Sequence, residues 1–455
     1  MLMLAGSYLF YATWGLTFLA ILVGCSVINY GLGALVRRKR VWAYLLFGVI
    51  TNIGLLGFFK YLPALASSLS PDLLSRILLP VGMSFWTFQA LSYLFDIHYG
   101  EEVDPTLLEF CLYLSFWPTV LMGPVCRLPK MLPQFREFHA FTSVNLIRGV
   151  RRIGSGLVMK MILAQLLGGA LTAATQNSIP AAQTGLDVWF IAIGYGFQLF
   201  FDFAGYSEIV IGAALVFGFL LEENFDSPYL SATPSIFWTR WHMSLSSWIR
   251  DYVYVPIVTR LRGFWPRCWA LLFSMVLFGL WHGATIPFLL WGTYHGLFLV
   301  LHRIVQQYQR KFGISLHGGL WDGLSWAVTF LGVSLGWVLF RATDANQIIT
   351  MLRAVLSPSS YIHTSLDPNY YRVVLTAVTG YFVYSVFTGN TFRQNITKVL
   401  DLQTGSSKTM NVLFRHFWDN RWWWLAPMGV MVALFAEFAV LSQNTHFAPF
   451  IYTLF

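Results

Sequence analysis

Two histidines stand where long apolar stretches of this sequence give way to polar residues. His242 lies in FWTRWHMSLSSWIRDYVYVP at 237–256, and His282 lies in GLWHGAT at 279–285. Imidazole titrates near neutral pH, so a positioned histidine can accept a proton in general acid–base catalysis. It can equally well be a buried structural group held by a hydrogen bond. The residues around each histidine decide between these uses.

The segment around His242 predicts one continuous amphipathic helix. Thr233 and Pro234 suit the N-cap and the first helical position. Apolar residues recur at helical spacing and form a stripe, with His242 at its margin, so we expect this histidine to face the protein interior. The stripe comprises Phe237, Trp238, Trp241, Leu245, Trp248, Ile249 and Tyr252, whereas Arg240, Ser244, Ser247 and Asp251 fall largely outside it.

His282 lies in a segment, Cys268–Arg303, whose 36 residues are too many for one membrane span and too few for two spans and a turn. Gly279, Gly283 and Pro287 favour a break in the helix there. Broken helices at membrane depth occur where they are buried in protein or line a cavity, which makes His282 a candidate functional residue. The alternative is a buried histidine bonded to a nearby carbonyl. His295 is the weaker candidate and is expected to be structural.

Two carboxylates interrupt a third apolar stretch, 197–220, where Asp202 and Glu208 stand among aliphatic and aromatic residues. A carboxylate at membrane depth costs a few kcal/mol or more, so it is expected to face the protein interior with partners. Tyr206 is one helical turn from Asp202 and suits a hydrogen bond to it. One interpretation is that the carboxylates hold neighbouring helices together, and the other is a role in substrate binding or proton transfer.

The composition predicts a polytopic membrane protein. The chain has 455 residues, of which 56% are hydrophobic and only 11% are charged, whereas charged residues make up about a quarter of ordinary soluble domains. Apolar runs of spanning length recur along the whole chain. The candidate spans are Tyr8–Val36, Val41–Leu62, Leu73–Ile97, Leu107–Val125, Ile147–Ala174, Val188–Leu220, Cys268–Leu301, Trp321–Phe340, Val373–Phe387 and Trp422–Leu441.

The net charge of +9 does not indicate a nucleic-acid partner, because the basic residues cluster beside apolar runs. The basic run 37–40 directly follows the first span, which favours a cytoplasmic loop there and an outside N-terminus. The four cysteines are scattered without a CxxC pair, so we expect neither a metal site nor a disulfide framework. The sequence also contains no nucleotide-binding fingerprint and no HExxH motif.

Several of these stretches, in one order, resemble the membrane-bound O-acyltransferase family. The matching pieces are FDFAGYSEIVIG (201–212), ENFDSPY (223–229), FWTRWHMSLSSWIRDYVYVP (237–256), GLWHGAT (279–285) and LWGTYHG (290–296). Upstream, LGFFKY (56–61), LLPVGMSFWTFQALSYLFDIHYGE (78–101) and GPVCR (123–127) are similar to the same family. The likeness is strongest to its bacterial branch, which includes alginate O-acetylation and teichoic-acid D-alanylation proteins.

The resemblance implies an all-α polytopic fold of about 10–12 transmembrane or re-entrant helices around a central funnel. Within one membrane domain it implies N-terminal helices at 1–128, a core with the catalytic motifs at 129–303 and C-terminal helices at 304–455. It also implies that His282 is the catalytic histidine and that His242 faces it across a tunnel. Further substrate or tunnel residues are then Arg240, Trp241, Ser244, Trp281, Asp202, Tyr206, Asn224, Arg250 and Asp251.

The expected reaction moves an acyl group, acetyl in the branch resembled, from a thioester to a hydroxyl. His282 would take the proton of the hydroxyl, while His242, with Arg240 or nearby backbone, would position the thioester carbonyl or stabilise the oxyanion. The donor would be acyl-CoA or an acyl carrier thioester from the cytoplasm, with no permanently bound cofactor. The acceptor would be a secreted polysaccharide, reached through a periplasmic acetyltransferase partner, at the bacterial inner membrane.

Two other functions fit the same residues. The chemistry would also acylate a lipid-linked or peptide hydroxyl. A transporter or flippase would equally account for carboxylates and a broken helix within the membrane. Retention of activity without the two histidines would favour transport, and loss of activity without loss of substrate binding would favour catalysis.

Overall fold

The computed structural model describes residues 1–65, 78–137, 142–176, 184–313 and 318–388. The described residues form helices without a β-strand, and seven of these helices are long and apolar enough to cross a membrane. This agrees with the predicted all-α polytopic fold. The predicted span Trp422–Leu441 lies outside the described residues.

The helices follow each other closely along the chain. They are α1 (Leu2–Ala12), α2 (Leu16–Lys39), α3 (Trp42–Leu56), α4 (Leu62–Leu65), α5 (Met83–Tyr99), α6 (Leu107–Ser115), α7 (Leu128–Arg136), α8 (Ser143–Leu157), α9 (Gln165–Gln176), α10 (Gly185–Val216), α11 (Pro234–Arg240), α12 (Met243–Ile249), α13 (Val255–Arg260), α14 (Phe264–His282), α15 (Ile286–Phe312), α16 (Gly319–Arg341), α17 (Ala345–Leu356) and α18 (Pro368–Thr388). Short π-helical turns join several of them, at Gly57–Tyr61, Val158–Ala164 and Arg250–Tyr254.

The chain divides into two compact units. The first comprises Met1–Lys160 and Phe203–Thr329, and the second comprises Met161–Asp202 and the described residues from Phe330 onward. Both histidines singled out from the sequence belong to the first unit.

The first unit has an aromatic core under helix α5, of which 13 of 17 residues are buried, a larger fraction than an ordinary lipid-facing span would have. Helices α2 and α3 are joined by reciprocal amide hydrogen bonds between Asn29 and Asn52, at 3.1 and 2.6 Å. Since both side chains are buried, each amide satisfies the other where no water is present. Core side chains of this unit include Tyr11, Trp86, Tyr93, Phe110, Tyr113 and Phe116.

Helices α8 and α10 approach each other closely at glycines. A Cβ atom on Gly149 would lie 2.6 Å from the carbonyl oxygen of Gly212, and one on Gly156 would lie 2.5 Å from that of Gly205. Small residues at such spacing let helix backbones pack tightly in a membrane. The contact brings Arg152 of α8 against Glu208 of α10, as described below.

The second unit is organised around the N-terminus of α10. The Asp187 carboxylate accepts hydrogen bonds from the Thr184 amide at 2.8 Å and the Ser365 hydroxyl at 2.6 Å, and also from Tyr371. Asp187 is fully buried, so these donors replace the water that the carboxylate loses. Tyr370 adds a hydrogen bond to the carbonyl of Phe190, at 3.0 Å.

Several predicted spans are confirmed as helices, and two of the predicted spans in the first 125 residues are wrong in extent. The first span is two helices separated at Gly15, whose φ of +137° suits glycine. Only Leu107–Ser115 of the predicted span Leu107–Val125 is helical, which is too short to cross a membrane. Helix α7 follows at Leu128–Arg136.

Candidate active site

The predicted continuous helix around His242 is wrong, because the chain breaks at the histidine itself. Helix α11 ends at Arg240, Trp241 is extended, and His242 has left-handed backbone angles, φ +44° and ψ +53°, before α12 begins. The predicted start of α11 is confirmed, since the Thr233 hydroxyl accepts a hydrogen bond from the amide of Ile236 at 3.2 Å.

The break is stabilised by the polar connector that precedes α11. The amide of Asp226 donates to the carbonyl of Arg240 at 3.0 Å, and the amide of Met243 donates to the carbonyl of Asn224 at 2.8 Å. These bonds satisfy backbone groups that an unbroken helix would have paired internally. The periodicity of apolar residues in 237–256 does not reveal that the preceding connector forms these hydrogen bonds.

The Asn224 side chain holds the break together. Its Oδ1 accepts hydrogen bonds from the amide of Ser244 at 3.3 Å and from the Ser244 hydroxyl at 2.9 Å. The same oxygen lies 3.0 Å from His242 Nδ1, and Nδ2 donates to the Ser207 hydroxyl at 3.2 Å. Asn224 and His242 are 1% and 2% exposed, so this polar network is shielded from solvent.

Aromatic rings enclose the rest of His242. The ring of Phe203 packs edge-on at 4.6 Å between centroids, and that of Phe225 lies at 6.5 Å. The indole of Trp281 lies 6.4 Å from the His242 ring and 4.6 Å from that of His282, so it touches both imidazoles. The two histidines therefore belong to one aromatic-walled neighbourhood.

His282 is the last residue of α14, at the break that its glycines predicted. Gly283 is extended, and α15 begins at Ile286. The expectation that this segment is too short for two spans is wrong, because α14 starts earlier, at Phe264, and α15 continues to Phe312. Unlike His242, His282 is only partly buried, and its ring packs near Trp291 at 5.3 Å between centroids.

Two residues of the π-helical turn Gly57–Tyr61 bind the carbonyls that end α14. Lys60 Nζ donates to the carbonyl of Trp281 at 2.5 Å, and the Tyr61 hydroxyl donates to that of Leu280 at 3.0 Å. The ammonium group of Lys60 also lies 5.0 Å from the Trp281 ring centroid. The end of α14 is thus capped by a cation and a hydroxyl immediately before His282.

Lys60 and Tyr61 were not among the residues predicted for the site. A signal was present, because Lys60 is a lone cation within the apolar stretch LGFFKY, and an ionisable residue at membrane depth is a functional candidate. The sequence did not reveal the partner of Lys60, which is the carbonyl of Trp281, 221 residues away along the chain. Electrostatic interactions link the His282 ring to both Lys60 and His242.

The carboxylates predicted within the membrane have different surroundings. Glu208 forms a bidentate ion pair with Arg152, at 2.8 and 2.9 Å, and the same guanidinium binds Glu223 at 2.7 and 2.6 Å. This agrees with the interpretation that Glu208 holds neighbouring helices together. The same guanidinium also holds Glu223, the residue next to Asn224, in place. Tyr206 lies in the first unit, with Lys160 5.9 Å from its ring, and Asp202 lies in the second unit.

The remaining predicted residues fall into two groups. Trp241 is buried and stacks on Phe237 at 5.5 Å, while Arg240 is partly exposed beside it. Arg250 and Asp251 pair with each other at 2.8 Å, and Asp251 also binds Arg127 at 3.4 Å. Asp251 thus links this second group to Arg127.

In the part of the chain that the structure describes, His, Cys, Asp and Glu side chains form no group of three or more that could hold a metal ion. The site offers two imidazoles, a buried amide, hydroxyl groups and the partly buried ammonium of Lys60. Such groups suit proton transfer and hydrogen bonding to a polar reaction centre inside an apolar wall.

Comparison with known proteins matches this chain to the family described as MBOAT, membrane-bound O-acyltransferase family, over residues 82–340. A second match, over residues 407–455, is to a family of unknown function, DUF5989, and lies outside the described residues.

Three named relatives share parts of this sequence. The "Probable alginate O-acetylase" of Pseudomonas putida is 32% identical, over 100% of this chain and 94% of the relative. The peptidoglycan O-acetyltransferase of Helicobacter pylori is 30% identical, over 79% and 75%. The teichoic acid D-alanyltransferase of Streptococcus thermophilus is 31% identical, over 57% and 68%.

Proposed function

Because this chain belongs to the membrane-bound O-acyltransferase family, we propose that it transfers an acetyl group from a cytoplasmic thioester to a hydroxyl of a secreted polysaccharide. The enzyme class, O-acyltransferase, follows from the family. The acetyl group and the polysaccharide are proposed from the relatives named as alginate and peptidoglycan acetylating proteins. The donor is acyl-CoA or an acyl carrier thioester.

The single observation that best supports the proposed chemistry is the position of His282. It stands at a helix break, partly exposed, with its preceding carbonyls held by Lys60 and Tyr61 and with His242 nearby. A base held by packing and hydrogen bonds keeps its geometry without reorganising during the reaction.

In the proposed step the hydroxyl oxygen attacks the thioester carbonyl carbon, and a C–O bond forms as the C–S bond breaks. His282 takes the hydroxyl proton and returns it to the leaving sulfur, so the products are an ester and a thiol and the enzyme is unchanged. The oxyanion formed on the way needs a donor, for which we propose Arg240, two residues before His242. The apolar walls exclude water, which would otherwise hydrolyse the thioester.

We propose that the chain resides in the bacterial inner membrane, with the donor entering from the cytoplasm and the acceptor from the other side. In this arrangement the bulky carrier of the thioester never crosses the membrane. A periplasmic acetyltransferase is the proposed partner that receives or presents the group. Mass spectrometry of the exopolysaccharide from cells with and without the protein tests the acceptor, and an unchanged acyl content would contradict it.

The first prediction concerns His282. In purified protein with a radiolabelled acetyl donor, we expect His282→Ala to lower the transfer rate by at least about 10²-fold, because general-base catalysis contributes about 10²–10⁴. His302→Ala is the matched control, since His302 is a partly buried histidine on α15 away from the break. Its rate should stay near wild type. Normal turnover by the His282 variant, at normal abundance and thermal stability, would exclude this residue as the base.

A further inference from the structure

The hydrogen bonds of Asn224 determine which nitrogen of His242 carries a proton. A backbone amide can only donate, so the Asn224 atom 3.3 Å from the amide of Ser244 must be the carbonyl oxygen, Oδ1. The same oxygen lies 3.0 Å from His242 Nδ1. Because this oxygen accepts the hydrogen bond, the nitrogen that faces it must carry the hydrogen. His242 Nδ1 is therefore protonated.

The neutral His242 ring then has its lone pair on Nε2. This atom is buried and has no hydrogen-bond partner among the described residues. A buried polar atom without a partner costs free energy, and a catalytic role is one of the explanations for such an atom in a native protein. The aromatic rings of Phe203 and Phe225 that pack on His242 supply no N–H or O–H group to it.

We propose that Asn224 is a positioning residue of this active site, which holds His242 in the tautomer protonated at Nδ1 and thereby keeps Nε2 as a hydrogen-bond acceptor. The inference rests on the proposed acyl transfer for its catalytic meaning, but the tautomer itself can be measured in the resting protein. In many active sites a third side chain orients the base through a hydrogen bond. Asn224 has this orienting role toward His242.

This tautomer changes the role expected for His242. A neutral ring with its proton on Nδ1 has no hydrogen to donate from Nε2 to a thioester carbonyl. It accepts instead, and the Trp281 indole lies 6.4 Å from this ring and 4.6 Å from that of His282. When His282 takes the hydroxyl proton, its ring carries two N–H groups. One of them donates to His242 Nε2, which stabilises the imidazolium until the proton passes to the leaving sulfur.

The tautomer can be tested by ¹⁵N NMR of the full-length protein labelled at histidine. The chain has ten histidines, so the His242 signals are assigned by their loss in His242→Gln. We expect a protonated, pyrrole-type Nδ1 and an unprotonated, pyridine-type Nε2. A pyrrole-type Nε2 in the wild-type protein would overturn the proposal, whatever the outcome of activity assays.

Variants of Asn224 test its catalytic effect. Asn224→Leu removes the acceptor, so we expect mixed tautomers and a kcat at least about 10²-fold lower, with KM for the donor little changed. Asn224→Asp keeps an oxygen opposite Nδ1 and should recover at least tenfold of that loss. Asn52→Leu is the matched control, because Asn52 is also buried and hydrogen-bonded but belongs to the α2–α3 contact.

The outcomes separate this proposal from the proposed function. Wild-type kcat and an unchanged His242 spectrum in folded Asn224→Leu would overturn the positioning role. An equal loss of kcat in Asn224→Leu and Asn52→Leu would mean that both act through stability alone, and would also overturn it. If neither the wild-type protein nor any variant transfers acetyl groups, the proposed function is wrong. The NMR measurement of the His242 tautomer still tests the positioning of the ring in that case.

Discussion

At the scale of single residues, the backbone of His242 adopts a conformation that costs free energy and that its neighbours hold in place. A non-glycine residue with φ of +44° is uncommon, and such strain persists where the surrounding structure holds it. Here the carbonyl of His242 accepts from the amide of Ser246 at 2.8 Å, and Asn224 binds the ring. The left-handed residue lies between α11 and α12, and its imidazole is buried in the interior.

Lys60 gives a second prediction at this scale. In Lys60→Met the carbonyl of Trp281 loses its ammonium donor and keeps the longer hydrogen bond from the Tyr61 hydroxyl, at 3.3 Å. This loosens the end of α14, so we expect kcat to fall by about 10–10²-fold. Steady-state kinetics with the acetyl donor should show a smaller change in KM, and Lys60→Arg, which retains charge and donors, should recover part of the rate.

The control for this variant is Lys130→Met. Lys130 is 67% exposed and pairs with Glu222, so its loss should leave kcat within about twofold because exposed ion pairs contribute little. A wild-type kcat in Lys60→Met would show that the end of α14 keeps its catalytic geometry without this cap.

At the scale of helices, α14 and α15 form an antiparallel pair that depends on glycine contacts. A Cβ atom on Gly279 would lie 2.3 Å from the carbonyl oxygen of Phe288, and one on Gly292 would lie 2.4 Å from that of Met275. These are backbone atoms of the partner helix and cannot rotate away. Gly279 lies within one helical turn of His282, the last residue of α14.

We therefore expect Gly279→Ala to destabilise the protein by about 2 kcal/mol, the usual range for overpacking a tight contact. Thermal unfolding in detergent measures this. Gly24→Ala is the matched control, since Gly24 is also helical but a Cβ atom there would meet no atom within 4 Å. That change should be neutral or slightly stabilising, because alanine favours helix. Equal stability of the two variants would contradict the tight α14–α15 contact.

At the scale of the whole molecule, an ion pair between two short helices is expected to make its stability depend on pH. Arg136 of α7 binds Glu109 of α6 through two hydrogen bonds, at 2.8 and 3.0 Å. Arg136, helped by the amide of Thr106, lowers the pKa of Glu109 to about 2. An unperturbed glutamate has a pKa of about 4.3.

The sign of the effect follows from linkage. Since the folded state holds the carboxylate ionised at lower pH than the unfolded state does, its stabilisation is complete above about pH 4.3 and is lost as pH falls toward 2. We expect the unfolding temperature of Glu109→Gln to fall less than that of wild type between about pH 5 and 3. Glu102→Gln, at an exposed carboxylate, should behave as wild type. Parallel curves for all three proteins would contradict the assignment.

Much of the architecture was predictable from sequence because it is local. The apolar character of the spans, the Thr233–Pro234 helix start and the break near Gly283 all depend on neighbouring residues, and the structure confirms them. The two histidines and Asn224 were also identifiable, from residue type and motif. Their roles in catalysis remain predictions.

Only the tertiary structure decided how those residues are held. The break at His242 forms because a connector 18 residues away supplies Asn224, although the apolar periodicity of 237–256 favours an unbroken helix. The end of α14 is capped by Lys60, 221 residues away. Periodicity reports which face of a segment is buried, whereas a buried hydrogen bond depends on which distant group reaches that face. The sequence by itself therefore determined the helices and the candidate histidines, and long-range hydrogen bonds decided their geometry.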